Sequence, residues 1–158
     1  MTSASLQEIK KELRTLDAAL VQELCLRLAK YKKENKELLN YLLFEADNEQ
    51  AYINSIKTEL DELFLSVTSI TAYHQKKSLR KIIRVANKQI KYSGIKQTEI
   101  EVRIYLCTKM KDAKVPIKSS AVLYNLYAGQ LKKIESAFAK LPEDLKTDYA
   151  RELTYITL

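Results

Sequence analysis

The sequence predicts an all-α protein, a bundle of seven or eight helices built from antiparallel helical hairpins, in a single helical domain over residues 1–158. Three observations predict it. Two Gly and two Pro in 158 residues leave too few turn residues for a hairpin-rich sheet fold. Lys, Leu, Glu, Ile and Ala dominate, and all but Ile are strong helix formers. Apolar residues recur at three- and four-residue spacing through most of the chain. A chain of this length buries roughly 70% of its unfolded surface and needs no staples. A short α-solenoid of stacked helical hairpins is the alternative, although no period near 34 or about 40 residues is present.

Taken in order, Ser5 caps a first helix, and Glu8 three residues on completes a capping box. Leu6, Ile9, Leu13 and Leu16 form its apolar side. Asp17 caps a second helix with the stripe Val21, Leu24, Cys25, Leu28 and Tyr31. The polar run from Lys32 to Glu37 interrupts the chain, and a third helix starts near Glu34. Leu38, Leu39, Tyr41, Leu42, Leu43, Phe44 and Ala46 cover almost the whole circumference of that helix. A helix apolar all round is expected to be the most buried one.

Asp47 and Asn48 cap a long fourth helix, from about residue 49 to 73. Ile53, Ile56, Leu60, Leu63, Val67 and Ile70 follow a heptad pattern along it. The seam reads as the core stripe of a bundle helix, with homo-oligomerisation through it as the sharper alternative. The β-branched cluster at residues 67–71 weakens the helix, so a boundary between 68 and 75 is expected.

A basic helix follows. On a helical wheel Lys76, Lys77, Arg80, Lys81, Arg84, Lys88 and Lys91 fall within roughly 140°. Leu79, Ile82, Ile83, Ala86 and Ile90 occupy the opposite side. Ser78 is placed to cap a slightly shorter helix, and Ser93-Gly94 ends it. Gln97-Thr98-Glu99 opens a sixth helix lined by Ile100, Ile104, Leu106, Cys107 and Met110, which ends before Val115-Pro116. Ser119 or Ser120 caps a seventh with the stripe Leu123, Tyr127, Leu131, Ile134 and Phe138, where Gly129 offers room for close helix approach. Leu141-Pro142-Glu143-Asp144 restarts the chain into an eighth helix carrying Leu145, Tyr149, Leu153 and Ile156.

The net charge of +7 is concentrated. Residues 75–96 hold eight of the 27 Lys and Arg and none of the 20 acids. The rest of the chain therefore has 19 basic and 20 acidic residues, a net of −1. Basicity confined to one helix face points to a local anionic partner, against the plainer reading of a solvated face.

Motifs for chemistry are absent. His74 is the only imidazole, Cys25 and Cys107 sit on separate helices, and no zinc spacing exists. Both cysteines read as reduced core residues of a cytoplasmic protein. Glycines only at 94 and 129 preclude a Gly-rich phosphate loop. EF-hand, di-iron and nucleophile-elbow patterns are missing. No cofactor or metal is expected, and no apolar run is long enough to span a membrane. Tyr73 and Tyr92 bracket the basic helix, where aromatic rings serve either as base-stacking platforms or as ordinary helix-edge residues.

The stretch from Leu6 to Phe44 (IKKELRTLD…LCLRLAKYKKENKELLNYLLF), followed by KKSLRKIIR, resembles the opening of small, uncharacterised helical proteins of bacteria. The resemblance covers the first 95 residues and implies no activity. The expected function is a non-enzymatic interaction or scaffold module of unknown partner with one basic helical face, residues 76–91, for which an acidic protein or a nucleic acid is a possible partner. The alternative is largely sequence-nonspecific nucleic-acid binding by Lys76, Lys77, Arg80, Lys81, Arg84, Lys88 and Lys91. Attachment to an anionic membrane surface ranks third, because the apolar side of this helix lacks Trp and Phe.

Overall fold

A computed structural model describes residues 3–67 and 71–158. The chain is 83% helical, with no strand among the described residues. Where one domain over 1–158 is expected, contacts divide the chain into two compact units, 1–44 and 45–158.

The N-terminal unit contains α1 (Leu6–Thr15), α2 (Ala18–Tyr31) and α3 (Lys33–Asn40), the last running on into a wider π-helical turn, Tyr41–Glu45. Its ends form where the capping residues place them. Ser5 Oγ accepts from the Glu8 amide at 3.3 Å, and Glu8 Oε2 accepts from the Ser5 amide at 2.7 Å. The Asp17 carboxylate caps α2, accepting from the Leu20 amide at 2.8 Å. Asn35 Nδ2 donates to the Leu28 carbonyl at 2.8 Å, satisfying one of the free carbonyls in the last turn of α2 and bracing the α2–α3 hairpin.

This unit has almost no interior. Tyr41 is its only buried described residue. The expectation that the third helix is the most buried is therefore wrong: Leu38, Leu42, Leu43 and Phe44 are exposed. Cys25 is also exposed, contrary to its reading as a core residue.

The C-terminal unit is a bundle around one central helix. Its elements are α4 (Glu49–Phe64), α5 (Ala72–Ser93), α6 (Lys96–Asp112), α7 (Ala121–Phe138), the single turn α8 (Glu143–Lys146) and α9 (Ala150–Ile156). Short 3-10 turns precede α7 and join α8 to α9. α6 packs against α4, α5, α7 and α9, and it is buried over most of its circumference, from Thr98 and Ile100 to Cys107 and Met110, with the stripe Gln97, Glu101, Tyr105 and Thr108 half-buried. A helix enclosed by four others defines a bundle, not a stack of hairpins.

Inside this unit the α4 stripe is consumed. Ile53, Ile56, Leu60 and Val67 are buried and Leu63 is half-buried. Each full burial of such a side chain contributes about 1.5–3 kcal/mol. The predicted oligomerisation seam is thus corrected: these side chains already face the interior of their own chain, and Ile70 lies outside the described residues. α4 also ends at Phe64, nine residues before the expected end.

α5 begins at Ala72, so Ser78 is an interior residue and not a cap. Its C-terminal end follows the sequence. Gly94 has φ +68° and its amide donates to the Ile90 carbonyl at 2.9 Å. No atom stands within 4 Å of a Cβ placed there, so Gly94→Ala carries only the left-handed backbone cost. We expect a loss of about 1–2 kcal/mol, read from the urea midpoint. At Gly129, where close helix approach is expected, a Cβ also meets nothing within 4 Å, so the glycine admits no neighbour.

The end of α9 is held by side chains of other helices. Lys111 Nζ donates to the carbonyls of Tyr155 (2.6 Å) and Thr157 (3.0 Å), a cation at the negative pole of the helix. The Tyr127 hydroxyl donates to the buried Ile156 carbonyl at 2.5 Å. Burial pushes the pKa of that phenol upward, so it stays a donor. Tyr127→Phe strands the carbonyl and should cost about 1–2 kcal/mol. The loss should appear first as faster amide exchange in α9.

Candidate anion-binding face on α5

The division of α5 into two sides is as the sequence predicts. Leu79, Ile82, Ile83, Ala86 and Ile90 are all buried. Lys77, Arg80, Lys81, Arg84 and Lys91 are exposed, and Lys76 and Lys88 are half-buried. Like charges at i,i+4, such as Lys77/Lys81 and Arg80/Arg84, oppose the helix by a few tenths of a kcal/mol each. The buried isoleucines and Leu79 contribute about 1.5–3 kcal/mol each, so packing wins and the charges are held in place.

Lys76, Lys77, Arg80, Lys81, Arg84 and Lys91 form no ion pair among the described residues. Lys88 differs, being already engaged. From Lys77 to Lys91 the free cations run over about 21 Å of helix, roughly one or two per turn. Tyr73 lies in the first turn, 72% exposed, on the wheel position between Arg80 and Arg84. Its ring meets His74 edge-on at 5.5 Å. His74 is itself exposed, with Nδ1 2.7 Å from Thr71 Oγ1. Tyr92, at the other end, is half-buried and engaged.

Two polar clusters escape a linear reading. In the first, Arg103 of α6 is buried. Its Nε donates to Glu99 Oε1 at 3.1 Å, and its Nη1 donates to Asn87 Oδ1 and Gln130 Oε1, each at 2.8 Å. One guanidinium thereby joins α5, α6 and α7. Burial alone would raise the Glu99 pKa, but hydrogen bonds from Lys96 and Arg103 outweigh it and leave the carboxylate below its usual range. Glu99 and Arg103 stand at the favourable i,i+4 spacing, the one sign of this cluster in the sequence.

In the second, Glu101 accepts from Gln97 Nε2 and from the Tyr149 hydroxyl, each at 3.2 Å, and pairs with Lys57 at 3.4 Å. These groups line a polar cavity of about 420 Å³ between α4, α6 and the C-terminal turns. Burial first, and then Glu101, pushes the Tyr149 phenol up to about 12. The Tyr105 hydroxyl donates to Asp61 at 2.7 Å close by, and Lys109 pairs with Asp61 at 2.8 Å. These groups satisfy one another, whereas six of the α5 cations form no ion pair among the described residues.

Among the described residues no group of three or more His, Cys, Asp or Glu could hold a metal ion. No described helix is long and apolar enough to cross a membrane. No protein family, curated protein or solved structure matches this chain, and no function comes to it by similarity.

Proposed function

We propose that this chain is a non-enzymatic interaction module that docks an anionic partner through the exposed face of α5. One observation carries the reading: six cations on a single helix face form no ion pair, while the opposite side of the same helix is packed into the core. A face that only kept the protein soluble would work as well with both signs interspersed. The partner is an acidic protein surface or the phosphate backbone of a nucleic acid. Titration of labelled oligoglutamate and labelled single-stranded RNA at low salt tests the reading. Binding of either probe supports it, and binding of neither overturns it.

Tyr73 favours the nucleic-acid branch. An exposed ring in line with a row of cations is the combination that stacks a base while the charges follow the backbone. Tyr73→Ala should then weaken RNA binding about 5- to 150-fold, one stacked base being worth about 1–3 kcal/mol, and leave oligoglutamate binding unchanged. Equal effects on both probes would remove the stacking role.

A further inference from the structure

We infer that the N-terminal unit is one half of a homodimer interface, in which α1 of each copy seats its apolar stripe in the α2–α3 crevice of the other. Twelve large apolar side chains are exposed in these 44 residues, at 36–85%, against six in the 114 residues of the C-terminal unit. Setting aside Leu26, Leu43 and Phe44, which lie off the α2 stripe and the crevice, the exposed fractions correspond to about 700 Å² at roughly 150 Å² per side chain. The largest apolar patch of a typical monomer is about 300–600 Å². A stable interface buries about 800 Å² per partner. The unit therefore carries more uncovered apolar surface than a typical monomer patch, and close to what one partner of a stable interface buries.

The shape of that surface says how it is covered. α2 and α3 pack as a hairpin that leaves an apolar crevice of about 240 Å³, lined by Cys25, Leu28, Leu38, Leu39 and Leu42 among others. α1 presents Leu6, Ile9 and Leu13 on one side but makes little contact with this hairpin. Leu16 and Asp17, both extended, carry the chain from α1 to α2. An unfilled apolar crevice and an unpartnered apolar helix in the same unit are complementary. Two copies satisfy both at once by exchange about a two-fold axis, an isologous contact that closes on itself.

The rest of the chain offers no substitute. The six exposed apolar side chains of the C-terminal unit (Leu65, Tyr73, Ile95, Tyr124, Tyr155 and Leu158) are scattered singly over different elements. Charge does not oppose pairing either, since residues 1–44 hold eight basic and six acidic residues of mixed order.

Light scattering on the eluting full-length chain tests this at 10 and 100 μM. The native chain should run at twice its 18.3 kDa mass. Ile9→Glu/Leu13→Glu on α1 and Leu28→Glu/Leu42→Glu on the crevice should each give the single-chain mass. All four positions are exposed, so helicity by circular dichroism should be retained. A second readout is the alkylation of Cys25, which should slow as native protein concentration rises and not in the α1 variant. Cys107 is buried and remains silent. A native chain that is monomeric at 100 μM overturns the inference, even if it retains a foreign helical peptide. So does a dimer that survives both variants, or Cys25 reactivity independent of concentration.

Discussion

Reversing three charges on α5, as Arg80→Glu/Arg84→Glu/Lys91→Glu, should lower affinity for the anionic probe at least about a hundredfold at 50 mM salt. The variant removes half of the six unpaired cations and places three carboxylates among those that remain, so attraction is replaced by near balance. Lys88 is left alone because it is already engaged. Stability separates lost binding from lost folding. The three positions are exposed, and Arg84→Glu puts a carboxylate four residues before Lys88, the favourable order for an i,i+4 pair. The variant helix relieves like-charge repulsion, so its thermal midpoint should equal or exceed that of the native chain. A variant that binds as tightly as the native chain would mean that the anion sits elsewhere.

The second large effect is expected at Arg103. Arg103→Ala should destabilise the C-terminal unit by about 3 kcal/mol, because the half-buried Glu99 carboxylate loses one of its two cations, keeping only Lys96. The half-buried Asn87 and the buried Gln130 would lose their shared donor at the same time. The midpoint should drop on the order of 10 °C. Arg103→Lys keeps the charge but not the planar fork that reaches three acceptors, so it should fall between the two.

The pH dependence gives the effect a sign. Glu99 is lowered in the folded chain, so its contribution is full above the unfolded carboxylate value, about 4.3, and fades as pH falls through its folded value. The native chain should therefore lose stability below about pH 4. Arg103→Ala should lose less over the same window, having already lost the share that Arg103 contributes, while the share from Lys96 remains. A variant within about 0.5 kcal/mol of native at neutral pH, the range of an ordinary surface substitution, would show that the cluster is not what joins α5, α6 and α7.

Much of the local structure was legible in the sequence, because capping is local chemistry. Ser5 with Glu8, Asp17, Asn48 and Gly94 each end or begin a helix as read. The two-sided character of α5 was legible for the same kind of reason, since a period of 3.6 residues sorts its charges from its isoleucines.

Burial was read less well, because it depends on what other helices bring. The apolar side chains of the third stretch, residues 38–46, are exposed apart from the buried Tyr41 and the half-buried Leu39; α6 mixes charges into its pattern and is buried over most of its circumference. Arg103 is what misleads there. A cation in the sequence argues for solvent, but two of its three partners lie on α5 and α7, 16 and 27 residues away. The α4 seam suits a second copy as well as a neighbouring helix, and only packing decided for its own core. The end of α4 at Phe64 followed from the turn at residues 65–67, which carries neither Gly nor Pro to announce it.

The most direct test of the anion-docking face is the salt dependence of binding by the native chain. Anisotropy with labelled single-stranded RNA, duplex DNA and oligoglutamate, at 50 and 200 mM salt, reads it. If five of the α5 cations meet phosphates, nucleic-acid affinity should fall a few hundred-fold, roughly, between the two salts. Oligoglutamate bound alone, and released by the higher salt, would assign the face to an acidic protein. Absence of binding to all three probes at 50 mM, or binding indifferent to salt, would contradict an anion-docking role for α5.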